Sequence, residues 1–278
     1  MIPASFDYVR AASVSEALSL LGEYGDDAKI LAGGHSLLPL MKLRLASPSV
    51  LIDVGKIREL SYIRDEGDHV AVGALTRHCE VENSELLQAD VPLVAHVAGV
   101  IGDPQVRHRG TIGGSIAHGD PASDLPAAVL ALGATMVISG PSGSREVLAQ
   151  EFFRDFLETA IGPDELLTEI RIPKSHGAGW SYQKFTLRAQ DWAIVGVAAV
   201  GAQAGGGIAL VNMASTPVRA SAVEQAVAAG TRASEASRTA SEGLEPPSDL
   251  NASAAYRRHL AGVLVRRALE EVDARNDS

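Results

Sequence analysis

The sequence is poor in cysteine, and this scarcity limits the chemistry that the chain can carry by itself. Cys79 is the only cysteine among 278 residues. One thiol cannot form an internal disulfide, complete a cysteine-rich zinc site or hold an iron–sulphur cluster. We therefore expect a protein of a reducing compartment, the cytoplasm, and no metal site formed by this chain.

Positive charge, aromatic residues and long apolar runs are also scarce. The chain has 24 Lys and Arg against 34 Asp and Glu, a formal net charge of -10, which disfavours nucleic acid as a main partner. No apolar run reaches the roughly 18 residues of a membrane span, and the N-terminus lacks the pattern of a signal peptide. Hydrophobic residues make up 46% of the chain but aromatic residues only 4%, so we expect a folded protein with a largely aliphatic core.

Periodicity and turn signals divide the chain into three regions, residues 1–57, 58–176 and 177–278. Each mixes helical and strand patterns, which is typical of an α+β protein. The main predicted elements are a helix at 13–21 capped by Ser13, strands at 29–32 and 50–54, strands at 61–64 and 69–73, helices at 91–100 and 125–132, a strand at 135–139, an alternating strand at 182–188, a hairpin around the glycines at 205–207 and a terminal helix at 254–272.

Two glycine-rich segments carry the strongest functional signal. They read Ala32-Gly33-Gly34-His35-Ser36 and Thr111-Ile112-Gly113-Gly114-Ser115. Paired glycines in a loop allow successive backbone N–H groups to point at a diphosphate, with no Cβ in the way. Each segment alone could equally be a simple turn, but two of them can hold one dinucleotide from both sides. Neither matches the Rossmann or the P-loop fingerprint, so another phosphate-binding fold is required.

A family resemblance rests on these segments and on further motifs. The additional motifs are Gly102-Asp103-Pro104-Gln105-Val106-Arg107, the continuation Ile116-Ala117-His118, Asp120-Pro121-Ala122-Ser123-Asp124-Leu125-Pro126, Asp191-Trp192-Ala193 and Tyr256-Arg257-Arg258-His259-Leu260. In this order they resemble the FAD-binding medium subunits of the molybdenum hydroxylases over essentially the whole chain. Within that family the motifs match the carbon monoxide dehydrogenases best.

The resemblance implies a fold and a cofactor. The implied fold is a two-part FAD-binding unit of the vanillyl-alcohol oxidase (PCMH) type, followed by a C-terminal α+β domain. The two glycine segments would hold the diphosphate of non-covalent FAD, Asp124 would contact its adenosine side, and Leu167 and Lys184 would line the flavin. Some flavin oxidases of the wider fold instead bond FAD covalently through a histidine in a Gly-Gly-His context, which would be His35 here.

Other candidate residues stay open on the sequence alone. Arg107 and Arg109 flank the second glycine segment and could be surface residues or could help to neutralise the diphosphate. Trp192 could stack near the flavin or pack in the core. The histidines show no paired spacing typical of a metal site.

The resemblance also implies that the chemistry is divided among several chains. A small iron–sulphur subunit and a large molybdenum subunit would join this chain in a dimer of heterotrimers, in the cytoplasm or at the inner face of the membrane. Electrons would run from the partner clusters through FAD to an external acceptor, and this chain would supply no catalytic residue. Carbon monoxide is the expected substrate of the complex. A nicotine-type or purine-type hydroxylase and a stand-alone flavin oxidase are the alternatives.

Overall fold

A computed structural model of the chain describes residues 2–201 and 205–276. Three main β-sheets follow one another along the described sequence, with helices packed against each of them, and a fourth, two-stranded ribbon lies within the second region. The expected α+β class is therefore confirmed. Residues 202–204, at the tip of the predicted glycine hairpin, lie outside the described residues. No helix in the described ranges is both long and apolar enough to cross a membrane.

The first sheet has three parallel strands in the order β1-β3-β2. The predicted N-terminal helix is confirmed as α1, and the Ser13 hydroxyl accepts the Glu16 amide at 3.2 Å as its cap. The elements of this unit are β1 (Asp7–Arg10), α1 (Val14–Tyr24), β2 (Ala28–Leu31), α2 (Leu37–Lys42) and β3 (Val50–Asp53), with a 3-10 turn at Gly25–Asp27.

The second sheet has five antiparallel strands in the order β4-β5-β10-β6-β7. Its elements are β4 (Ile63–Asp65), β5 (His69–Gly73), α3 (His78–Glu82), α4 (Glu85–Asp90), α5 (Pro92–Gly99), α6 (Pro104–Arg107), α7 (Ile112–His118), α8 (Asp124–Ala131), β6 (Thr135–Gly140), β7 (Gly143–Leu148), α9 (Ala149–Phe152), the ribbon β8 (Phe153–Asp155) and β9 (Glu158–Thr159), and β10 (Leu166–Pro173), with a 3-10 turn at Arg58–Leu60. A run of short helices thus separates the first two strands from the last ones.

The third sheet has four antiparallel strands in the order β11-β12-β13-β14. Its elements are β11 (Trp180–Phe185), β12 (Val195–Val200), β13 (Ile208–Val211), β14 (Val218–Arg219), α10 (Ser221–Ala228), α11 (Ala233–Ala236) and α12 (Ala254–Asn276), with a 3-10 turn at Ser237–Thr239. Alternate residues of β12 face opposite sides: Val197 joins the core under α12, and Ala198 joins the core shared with the second sheet.

Helix α8 joins the second and third sheets into one core. All eight of its residues are buried, because the helix packs against α5 on one side and against β12 and β13 on the other. A helix without a polar face fits only such a central position. The carboxylate of Asp124, its first residue, is therefore carried into the interior.

The second glycine segment differs from the sequence-based expectation. It was expected to be a loop, but Gly113 and Gly114 lie in the first turn of α7, which Thr111 caps by accepting the Gly114 amide at 3.1 Å. The serine and threonine that flank the glycines favour such a cap, so the same residues that suggested a phosphate loop begin a helix.

Candidate functional site

The first glycine segment connects the end of β2 to the start of α2 and leaves its amides free. Gly34 has a φ of +79°, and the Leu38 amide donates to the Gly34 carbonyl at 3.0 Å. Within the described residues, the five consecutive amides from Gly33 to Leu37 donate to no protein acceptor. Consecutive amides in a turn with left-handed backbone form a concave anion-binding surface. The segment therefore has the donors that a phosphate group needs.

The second segment uses its amides internally. The Ile112 amide donates to the Thr76 carbonyl at 3.0 Å, the Gly113 amide to the Ala74 carbonyl at 2.9 Å and the Ser115 amide to the Thr111 carbonyl at 3.0 Å. These bonds fasten the start of α7 to the strand end at residues 74–76. The segment can therefore offer a glycine surface and the positive end of a short helix, but not a second set of free amides.

The two segments meet, as the pairing of the motifs predicts. A methyl group on Gly33 would lie 2.8 Å from the Cα of Gly110 and closer still to the Arg109 carbonyl oxygen, so only glycine fits there. A methyl group on Gly114 would lie 2.7 Å from the Thr111 hydroxyl and 3.9 Å from the Cβ of Ala32. At Gly33 the clash is with backbone, so a methyl group there would push the two segments apart. At Gly114 the clash is with the Thr111 side chain, so a methyl group there would disturb the cap of α7.

Two arginines, Arg77 and Arg109, lie close to His35 in the first segment. The half-buried Arg77 guanidinium donates through Nη1 to the Arg109 carbonyl, and the exposed Arg109 side chain lies near His35. Burial and the nearby Arg109 charge lower the pKa of Arg77, and the same two causes lower that of His35. Two arginine charges therefore lie close to the first segment, which suits the binding of an anion.

His78 lies under the contact between the segments. It is 4% exposed, its amide donates to the Gly110 carbonyl at 3.1 Å, and its Nδ1 is buried without a hydrogen-bond partner in the described structure. Burial, with a smaller effect of His35, lowers its pKa to about 4. The imidazole is therefore neutral at physiological pH and adds no charge to the site.

Arg107 and Arg109, which the sequence could not distinguish, have different surroundings. Arg107 Nε donates to Glu82 Oε2 at 2.8 Å and its Nη1 to the Ile101 carbonyl at 3.2 Å. Arg109 forms no ion pair within the described residues and stands beside the free amides. Arg107 is thus a structural residue, and Arg109 is the one that faces the candidate phosphate site.

Asp124 and Lys184 form a buried ion pair. Lys184 Nζ lies 2.8 Å from Asp124 Oδ2, and the Tyr182 hydroxyl donates to Asp124 Oδ1. Lys184 also donates to the Val100 carbonyl at 3.3 Å. Burial raises the pKa of Asp124 while Lys184 acts in the opposite direction, and burial together with Asp124 raises that of Tyr182. The sequence-based roles put Asp124 at the adenosine side and Lys184 at the flavin, whereas the structure places the two side chains in direct contact.

Leu167 and Trp192 occupy contrasting environments. Leu167 is 4% exposed on β10, one residue before Thr168, whose carbonyl accepts the Ala74 amide at 3.0 Å. The Ala74 carbonyl in turn accepts the Gly113 amide. Leu167 therefore lies next to a residue that is linked through Ala74 to the second segment. Trp192 is 57% exposed on the connection between β11 and β12, so it does not pack in the core.

Arg77 and His78 belong to this site, although no sequence pattern indicated them. An isolated antiparallel bridge pairs Arg77 with Thr111 and lays residues 76–78 beside 110–112. Neither residue stands in a glycine-rich or otherwise distinctive pattern, so only this long-range pairing reveals them.

Two family models match the chain. The FAD binding domain in molybdopterin dehydrogenase matches residues 4–175, and the CO dehydrogenase flavoprotein C-terminal domain matches residues 180–272. Together they cover almost all of the sequence and meet where the second sheet gives way to the third.

Individual relatives match over their full length. The chain is 44% identical to the carbon monoxide dehydrogenase medium chain of Hydrogenophaga pseudoflava, with 99% of each chain covered. It is 40% identical to the glyceraldehyde dehydrogenase medium chain of Sulfolobus acidocaldarius, with 98% of this chain and 100% of the relative covered. A solved structure of the H. pseudoflava carbon monoxide dehydrogenase superposes with a TM-score of 0.94 at 45% identity, with 99% of each chain covered.

Proposed function

Because the chain belongs to the family of FAD-binding subunits of molybdenum hydroxylases, we propose that it is the electron-transferring medium subunit of a carbon monoxide dehydrogenase. The family membership makes it an oxidoreductase subunit that binds FAD and works with partner chains. The full-length identity of 44% to a carbon monoxide dehydrogenase medium chain supports the choice of substrate, against 40% for the glyceraldehyde enzyme.

The proposed FAD site combines the binding residues that the family resemblance implies. FAD can take up electrons one at a time and can hold two of them, which suits a link between one-electron clusters and an external acceptor. The free amides after β2 and the glycine contact at α7 support a diphosphate held between them. The proposed binding residues are Ala32, Gly33, Gly34, His35, Ser36, Thr111, Ile112, Gly113, Gly114, Ser115, Asp124, Leu167 and Lys184.

We assign Asp124 and Lys184 jointly to one end of the cofactor. Their ion pair fixes the ammonium group, and the Tyr182 hydroxyl satisfies the second carboxylate oxygen. A lysine held in this way can present a fixed positive charge to a flavin or ribityl oxygen without swinging into solvent. This assignment replaces the separate adenosine role for Asp124.

Three domains are proposed, residues 1–57, 58–176 and 177–278. The three sheets support the division, since each is formed by strands of one of these ranges. The first two would form the two-part FAD-binding unit.

The proposed partners are a small iron–sulphur subunit and a large molybdenum subunit, arranged as a dimer of heterotrimers. A single cysteine supports this division of labour, because the chain cannot bind a cluster of its own. The proposed electron acceptor lies outside the complex, and the proposed location is the cytoplasm or the inner face of its membrane.

The proposal is tested on the native complex. An affinity tag on this chain should co-purify two further chains together with molybdenum, iron and FAD. Carbon monoxide, added without oxygen, should then bleach the visible absorbance of the flavin. If glyceraldehyde or nicotine bleaches the flavin and carbon monoxide does not, the proposed substrate is wrong. If the isolated chain is reduced by a small organic substrate without partners, a stand-alone flavin oxidase is the better description.

A further inference from the structure

Two arginines come together beside the free amides, and neither is among the proposed FAD-binding residues. Arg77 reaches across from the start of α3, and its guanidinium donates to the carbonyl of Arg109. A methyl group on Gly33 would clash with that same carbonyl oxygen. The Arg77 guanidinium, the Arg109 backbone and the Gly33 backbone therefore meet at one point, immediately beside the amides of residues 33–37.

Neither arginine has a carboxylate partner within the described ranges 2–201 and 205–276. The neighbouring acidic side chains have other partners. Glu80 accepts the amide of Arg77 at 2.7 Å, Asp103 accepts the Val106 amide at 2.9 Å as the cap of α6, and Asp53 accepts the Gly55 amide at 2.8 Å. The structure thus holds two like charges close together with no ion pair to offset their repulsion.

A bound anion would offset the repulsion between these two arginines. Several other arginines of this chain are paired in the ordinary way, such as Arg145 with Glu165 at 2.6 Å and Arg257 with Asp249 at 2.6 Å. A half-buried guanidinium loses hydration and gains nothing from a second guanidinium beside it. A bound dianion would offset both the lost hydration of Arg77 and its repulsion from Arg109, because guanidinium groups bind phosphate oxygens through charge-assisted hydrogen bonds.

We propose that Arg77 and Arg109 are the counter-charge for the FAD diphosphate and set the preference of the site for a phosphorylated flavin. The proposal rests on the proposed FAD site. Arg77 is the fixed member, since its guanidinium is held by a backbone carbonyl. Arg109 is the exposed member and closes over the ligand from the solvent side.

Arg109→Gln provides the cleaner test, because Arg77 binds the backbone carbonyl of residue 109, which the substitution keeps. The full-length FAD-free chain is titrated with FAD by flavin fluorescence, at low and at high salt, and in parallel with riboflavin, which carries no phosphate. We expect Arg109→Gln to weaken FAD binding about tenfold or more at low salt, with the loss shrinking at high salt and riboflavin binding unchanged. Arg77→Gln should act in the same direction, and Arg77→Lys should recover part of the affinity.

A matched control is Arg258→Gln, since Arg258 is an exposed arginine on α12 in the third unit. It should leave FAD binding as in the wild-type chain. FAD affinity within twofold of wild type in Arg109→Gln would overturn the counter-charge role while leaving the FAD site intact. An equal loss for riboflavin, or a loss that high salt does not reduce, would also overturn it. Failure of the wild-type chain to bind FAD would overturn the FAD site itself and the counter-charge role with it.

Discussion

Replacing His78 by glutamine should remove a large part of the acid sensitivity of the fold. The imidazole is 4% exposed and its Nδ1 has no partner within the described residues, so protonation would bury an unpaired charge. His35 and Arg77 add to this penalty because both place positive charge nearby. We therefore expect His78 to favour the folded state only while it is neutral.

The size of the effect follows from its pKa. The folded value is about 4 against 6.5 for the free side chain, so the unfolded chain takes up the proton first as the pH falls. Stability should then decline below about pH 6.5 and level off below about pH 4, a total loss of about 3 kcal/mol. About 2 kcal/mol of this loss is already present at about pH 5, because the unfolded histidine is then nearly fully protonated and the folded one is not.

Urea unfolding of the FAD-free chain at about pH 7.5 and about pH 5 measures this difference. His259 is exposed, so His259→Gln serves as the control and should keep the full decline of the wild-type chain. Other buried histidines contribute equally to all three proteins and cancel in the comparison. An equal decline in wild type and His78→Gln would refute the reasoning, because the imidazole would then have the same pKa in both states.

Three further outcomes are expected. Gly33→Ala should yield a folded chain without flavin absorbance, since its Cβ would clash with the backbone of Arg109 and Gly110 just before the second segment, whereas Gly22→Ala meets no atom within 4 Å and should bind FAD normally. Lys184→Met should cost about 3 to 5 kcal/mol in urea unfolding by leaving Asp124 buried without its cation, and adding Asp124→Asn should recover part of the loss. Arg107→Gln should lower stability by about 1 to 2 kcal/mol yet leave the FAD dissociation constant unchanged, because that arginine is occupied by a carboxylate and a carbonyl.

Local patterns in the sequence predicted local structure well. The N-cap of α1, the strand before the first glycine segment and the apolar stretch of helix α8 after Asp124 each depend on residues close together in the chain. The alternation in β11 also holds, because Tyr182 and Lys184 both reach Asp124 from the same face of that strand. Such patterns are readable because hydrogen bonding and burial repeat with a fixed period.

The physical basis of the site could be predicted only in part. The paired glycine motifs indicated that two distant segments meet, and the structure brings them into contact. That Arg77 and His78 lie beneath that contact, and that Lys184 pairs with Asp124, depends on packing between elements far apart in the chain. The amide bonding of the second segment was misread for the same reason, since its acceptors at Ala74 and Thr76 belong to another strand end.

The near-contact of Gly33 with Gly110 couples cofactor loading to the docking of the first sheet. Residues 33–37 belong to the first unit and Gly110 belongs to the second, so the proposed FAD site is incomplete while the two units are apart. A ligand that bridges such a seam stabilises the joined state by an amount that grows with the logarithm of its concentration. Bound FAD would then also stabilise the packing of the N-terminal unit against the second unit. Substitutions that destabilise the interface between the first and second units should weaken FAD binding even when they contact no residue of the proposed FAD site.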